Sequence, residues 1–207
     1  MQPQKALLAG LAAVTLSTAA FAQSAPGEGP WMVRARATYL NTDTSSSAGA
    51  LPADAIDVNS KWIPEVDVSY FFTKNVAAEL VLTVPQKHEV SVAGNKIGTF
   101  KHLPPTLLLQ YHFTDMGAFK PYVGAGVNYT VLSSEKMNVG GTPVTLENSS
   151  LGPALQVGVD YRLNRNWYLN ADVKKVWIAS DVFLGGSKIS EVKVDPWLFS
   201  VGVGYRF

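Results

Sequence analysis

The chain has 207 residues, a formal net charge of +1 and no cysteine. That length suits a single domain, and the near-neutral balance argues against nucleic acid or a strongly charged partner. The missing thiols exclude a disulfide framework, a zinc ribbon and a cysteine nucleophile.

Residues 1–22 read as a secretory signal peptide. Lys5 supplies the positive start, Ala6 to Leu16 the apolar run, and Ala20-Phe21-Ala22 a small-residue cleavage site before Gln23. The fold is therefore expected in residues 23–207. Hydrophobic residues make up 47% of the chain, yet no later stretch approaches the roughly 20 apolar residues that a membrane helix needs.

The apolar residues alternate instead. In Trp31–Leu40, Trp31, Val33, Ala35, Ala37 and Tyr39 oppose Arg34, Arg36 and Thr38. Trp62–Phe72 and Val76–Val84 repeat the pattern, with Glu65, Asp67, Ser69 and Glu79 on the polar side. His102–Phe113, Pro121–Val131, Leu151–Leu163 and Trp167–Trp177 follow, and Trp197–Phe207 closes the series with Phe199, Val201, Val203 and Tyr205 against Ser200, Gly202, Gly204 and Arg206. Strict period two predicts extended strands with two unlike faces, eight in all.

The connections alternate in length. Thr73-Lys74-Asn75, Thr114–Lys120 and Asn164-Arg165-Asn166 are short, whereas Asn41–Lys61, Pro85–Lys101, Leu132–Ser150 and Ile178–Val192 are long and rich in Ser, Gly, Asn and Thr. Short turns on one side and long loops on the other predict an eight-stranded antiparallel transmembrane β-barrel, with turns periplasmic and loops extracellular. A charge on the lipid face costs a few kcal/mol, so the charged face is expected in the lumen and the greasy face against lipid. The outward aromatics then form two belts. Trp31, Tyr70, Phe72, Tyr111, Phe113, Tyr161, Trp167, Tyr205 and Phe207 lie at the turn ends, and Tyr39, Trp62, Tyr129, Trp177 and Trp197 at the loop ends.

Eight strands enclose a bore that their own side chains about fill. Arg34, Arg36, Glu65, Asp67, Glu79, Asp160, Arg162, Asp172, Lys174 and Arg206 are expected inside, and ion pairing among them is the structural reading. Ile63, Val81, Leu108, Val176 and Leu198 share the inward phase but are apolar. They mark a hydrophobic gate or a path for a greasy ligand, with ordinary filling of the barrel as the alternative. Pro104 and Pro105 interrupt a strand, which demands a bulge or a broken pairing; a lateral opening in the wall is one reading and a simple kink at the barrel rim the other. Catalysis has little to stand on. His88 lies in a loop, and His102 and His112 are roughly 33 Å apart if their strand is regular, so neither a shared metal nor any cofactor is expected. An enzyme built on His102 and a loop Ser is the reading set aside.

The runs Lys101-His102-Leu103-Pro104-Pro105-Thr106-Leu107, Lys120-Pro121-Tyr122-Val123-Gly124-Ala125-Gly126-Val127-Asn128-Tyr129-Thr130, Gln156–Tyr161 and Asp195-Pro196-Trp197 with Gly204-Tyr205-Arg206-Phe207 resemble the OmpW family of outer-membrane proteins. The resemblance implies a hydrophobic interior channel interrupted by bulky apolar residues, with Val81 at such a position. It also implies passage of small hydrophobic molecules, a role in stress responses and colicin reception in some members. The expected function is a narrow outer-membrane channel or binding path for small hydrophobic molecules. The alternative is a closed structural or surface-receptor barrel whose loops bind colicin, phage or host surfaces. Expected partners are outer-membrane lipid, small hydrophobic solutes and, through the terminal Phe207, the outer-membrane assembly machinery; the barrel is expected to be a monomer.

Overall fold

Alternation of large outward and small or polar inward residues forces each segment into an extended conformation, because only period two keeps one face uniformly apolar. The computed structural model describes residues 28–42, 44–46, 56–92, 95–139, 142–147 and 149–207, so the expected signal peptide lies outside the described residues. Fifteen strands follow in chain order: β1 (Trp31–Asn41), β2 (Thr44–Ser46), β3 (Ile56–Val58), β4 (Lys61–Phe71), β5 (Val76–Thr83), β6 (Gln86–Val92), β7 (Asn95–Leu103), β8 (Thr106–His112), β9 (Phe119–Val139), β10 (Thr142–Leu146), β11 (Ser149–Arg162), β12 (Trp167–Val176), β13 (Ala179–Leu184), β14 (Ser187–Val194) and β15 (Trp197–Arg206).

Eight of them close a barrel in the order β1-β4-β5-β8-β9-β11-β12-β15 and back to β1, every pair antiparallel. Full closure leaves no edge in the hydrocarbon layer, which is the condition for a sheet to span a membrane. The expected short turns are tied locally. Thr73 Oγ1 accepts the N–H groups of Asn75 (3.2 Å) and Val76 (3.0 Å), and Asn164 Oδ1 accepts those of Asn166 and Trp167, both at 3.0 Å.

Among the described residues, the long connections are largely paired strands and not the irregular loops that their composition predicts. β6 and β7 form a hairpin, β9 runs on to Val139 and turns into β10, and β13 and β14 meet at Gly185-Gly186, where both φ angles are positive. β10–β13, β14–β2 and β3–β6 pairings join these pieces into a sheet continuous with the barrel. Backbone pairing overrode a loop-like composition there, since a strand leaving the membrane retains its neighbour's hydrogen-bonding edge.

The inside-out assignment holds. Trp62, Leu109, Val157 and Val201 are each 57–63% exposed, while Arg34, Asp67 and Glu79 are 0% exposed. The belts are built from touching rings: Trp31–Tyr70 (4.8 Å), Tyr70–Phe72 (5.2 Å), Tyr111–Phe113 (5.2 Å) and Trp167–Tyr205 (5.1 Å) at the turn ends, and Tyr39–Trp62 (5.4 Å) at the loop ends.

Candidate functional site: the bore and its wall

The inward residues change character sharply partway along the bore. On seven strands, a step of two residues toward the turn end exchanges a buried apolar residue for a buried polar one. Leu40 gives way to Thr38, Ile63 to Glu65, Val81 to Glu79, Leu108 to Gln110, Ala154 to Gln156, Val176 to Lys174, and Leu198 to Ser200. Four of the five expected apolar gate residues, Val81, Leu108, Val176 and Leu198, pack into one cluster with Ala154, and Ile178 packs against it. Ile63 is buried but is not a member of that cluster. Sequence reasoning missed Leu40, Ala154 and Ile178. Leu40 and Ala154 were recoverable from phase alone, since Leu40 is in step with Arg34 and Arg36, and Ala154 with Gln156 and Asp160.

Below the apolar level lies a charged plug. Arg34 bonds Asp160 through Nε (3.1 Å) and Nη2 (2.7 Å), and Asp67 and Ser69 through Nη1, both at 2.8 Å. Arg36 reaches Asp67, Glu79 and Asp172, with Glu65 at 3.5 Å. Lys174 Nζ joins Glu65 (2.8 Å) to Asp172 (3.0 Å). Gln110 donates to Gln156 (2.8 Å), which donates to Asp172 (2.9 Å). His112 stacks on Tyr122 (4.8 Å), contacts Phe71 (4.9 Å) and shares a hydrogen bond with Gln110 (3.0 Å). Charges this deeply buried persist only when paired and bonded on several sides, which fixes their side chains and fills the bore. Arg34, Arg36, Glu65, Asp67, Glu79, Asp160, Asp172 and Lys174 thus form one network, as their inward phase predicts.

Two further layers close the turn end. Met32, Phe71, Ala77 and Tyr168 cluster under the plug, and Arg206 lies over the Phe71 ring at 3.8 Å. Glu28, just ahead of β1, then meets Arg206 (3.1 Å), Arg162 (3.1 Å), Tyr168 (3.1 Å) and Lys120 (3.8 Å). Burial by itself raises the Glu28 pKa, but Arg206 and Lys120 outweigh it and hold the carboxyl below its ordinary value of 4.5. Arg162, expected inside, sits at this rim with its side chain 42% exposed. Strand tilt brings the last inward position of β11 out to the mouth.

Among the described residues, the wall is interrupted beside β8. Pro104 and Pro105 are not inside a strand: β7 ends at Leu103 and β8 begins at Thr106. The β5–β8 ladder stops at Val81↔Thr106 and resumes between β6 and β7 only at Gln86↔His102. No strand pairing joins the intervening Leu82–Pro85 to Leu103–Pro105. Prolines lack the N–H that a ladder needs, which accounts for the gap. The same break places His102 and His112 on different strands. The side chains of His88 and His102 lie outside the described residues, and so does the reading of His102 as a catalytic base.

The comparisons with known proteins agree with this architecture. The OmpW family model matches residues 27–207. The chain belongs to the OmpW family. An uncharacterized outer-membrane protein, y4mB of Sinorhizobium fredii, is 43% identical over 88% of this chain and 82% of its own length. Outer membrane protein W of Escherichia coli is 37% identical over 99% of this chain and all of its own. Among solved structures, the outer membrane protein OprG from Pseudomonas aeruginosa superposes with a TM-score of 0.76 at 30% identity, covering 87% of this chain and 97% of that one. A more distant relative, 27% identical over 87% of this chain and 90% of its own, is the dibenzothiophene metabolism operon protein PahQ of Pseudomonas aeruginosa. As an OmpW-family barrel, the protein resides in the outer membrane, with its apolar face against lipid.

Proposed function

We propose that the barrel is a passive path for small hydrophobic molecules, entered from the loop side and left sideways through the wall. The observation that carries this reading is the step from apolar to polar residues on seven strands, to charged ones on three of them. Val81, Leu108, Val176 and Leu198, with Ile63 nearby, offer a greasy solute a favourable environment, roughly 25 cal/mol per Å² of apolar surface removed from water. The charged network beneath offers it none, because displacing a paired buried charge costs several kcal/mol. A solute that enters therefore has one direction left, toward the proline break at Pro104 and Pro105. The name of the relative PahQ, which refers to metabolism of an aromatic sulfur heterocycle, is in keeping with an apolar cargo.

The test is uptake of a radiolabelled alkane by cells lacking the chromosomal copy and complemented with the full-length protein. Val81→Asp and Leu108→Asp place a charge in the apolar level and should each lower uptake about tenfold, at unchanged surface abundance of heat-modifiable, folded barrel. Equal uptake by both variants and the parent overturns the reading.

The second reading, a closed structural or surface-receptor barrel, is favoured by the packing of the apolar residues against one another and by the filled plug. It expects no ion conductance in planar bilayers and no change in uptake when the gene is deleted.

A further inference from the structure

We infer that Asn128 is a strut that holds the break in the wall open, by engaging the Pro104 carbonyl that β5 would otherwise bond. The inference rests on the lateral path proposed above and concerns its regulation.

In a regular antiparallel strand, successive carbonyls point to opposite neighbours. Pro105 O accepts from β9, so the Pro104 carbonyl is the one that would face β5. It is engaged instead by Asn128 and by Thr106 Oγ1, which lies 3.4 Å from Pro104 O. Asn128 Nδ2 lies 3.3 Å from Pro104 O and 3.3 Å from Pro105 O, and Pro105 O also accepts the Tyr129 N–H at 3.0 Å. The same Nδ2 donates to Thr106 Oγ1 at 2.8 Å. The other end of the amide is fixed, because Thr130 Oγ1 donates to Asn128 Oδ1 at 2.6 Å. Asn128 is 1% exposed, so no water competes for it readily.

The opposite edge explains why this matters. Extending the β5–β8 register past Val81↔Thr106 sets Leu82 opposite Pro105 and Thr83 opposite Pro104. Neither proline has an N–H to give. The ladder can close there in one way only, with the Thr83 N–H donating to Pro104 O, because the Leu82 N–H faces β4. The buried Asn128 amide, with the Thr106 hydroxyl, occupies that acceptor. The prolines make the gap, and Asn128 keeps it from closing.

The test uses the mature barrel in lipid bilayers, with two substitutions that remove the donor differently. Asn128→Asp preserves size, and Asn128→Leu fills the space with an apolar side chain. With the Pro104 carbonyl released, amide hydrogen exchange at Thr83 should slow about tenfold as a new bond forms, while Leu82, whose N–H faces β4, and Val157 and Val173 on β11 and β12 stay as they were. Entry of an apolar fluorophore into vesicles through the barrel should fall several-fold in both variants. Unchanged or faster exchange at Thr83 in both overturns the strut. A separate arm isolates the lateral path. The chain has no cysteine, so Leu82→Cys with Pro105→Cys can be bridged by a short bis-thiol reagent across the gap. Bridging that leaves entry unchanged sinks the lateral path, whereas bridging that blocks entry while Asn128→Asp and Asn128→Leu do not slow it sinks the strut alone.

Discussion

Arg34 on β1 grips both oxygens of Asp160 on β11, at 3.1 Å from Nε and 2.7 Å from Nη2, and so ties two strands that are not neighbours across the bore. A bidentate pair fixes direction as well as distance, and its two members are 126 positions apart in the chain. The contact turns a ring of strands into a filled cylinder.

Breaking it from one side should be severe. Arg34→Met leaves Asp160 without its main partner and Asp67 with Arg36 alone, and removal of one member of a buried pair costs about 3–5 kcal/mol. We expect the urea midpoint in detergent to fall accordingly. Arg34→Met combined with Asp160→Leu should recover part of the loss, because no lone charge is then left at that position. Planar-bilayer recordings of Arg34→Met should show small cation-selective events absent from the parent.

The mouth should respond to acid. The Glu28 carboxyl is held below 4.5, so its contribution to stability is complete above that ordinary value and is lost as pH falls through its lower folded value. At pH 7, Glu28→Gln should destabilise the barrel by about 1 kcal/mol. In buffers more acidic than the folded value, parent and variant should unfold at the same urea concentration. A constant difference across pH 7 to 2 would show that charge on Glu28 plays no part.

Gly158 should tolerate no side chain. A Cβ there would run into the Tyr122 ring and Asp172, and the ring is itself stacked on His112 (4.8 Å). Gly158→Ala should destabilise by about 1–3 kcal/mol, the usual cost of overpacking. Adding Tyr122→Leu should relieve most of it, which equilibrium unfolding of the four combinations would measure.

The lipid face makes its own prediction. Val201 lies midway along β15 between Trp197 and Tyr205, and is exposed. Val201→Arg should cost about 2–4 kcal/mol in phospholipid vesicles, whereas the same change at Phe207, in the aromatic belt, should cost about 0–1. Equal losses at the two positions would contradict the assignment of that face to hydrocarbon.

How much of this was legible in the residues differs by level. Trp197, Phe199, Val201, Val203 and Tyr205 announce a strand and its lipid face, because period two is a property of neighbouring positions and needs no partner to be read. Arg34, Arg36, Asp67 and Glu79 announce their inward direction by the same phase. Which carboxylate meets which cation was not legible, since Arg34 and Asp160 are brought together only by barrel closure. The loops misled: Ser, Gly and Asn in residues 132–150 spell irregular chain, yet β9 and β10 pair through them because the preceding ladder supplies a template.

Local alternation thus determined the element type and number of the barrel strands, the inside and outside of each and the membrane that the protein occupies, because each follows from side chains a few positions apart. Tertiary structure alone decided the rest: the common height of Val81, Leu108, Val176 and Leu198, the pairing within the plug, and the break beside Pro104 and Pro105. These depend on strand register and tilt, which are set by hydrogen bonds between segments far apart in the chain and leave no mark on any one of them.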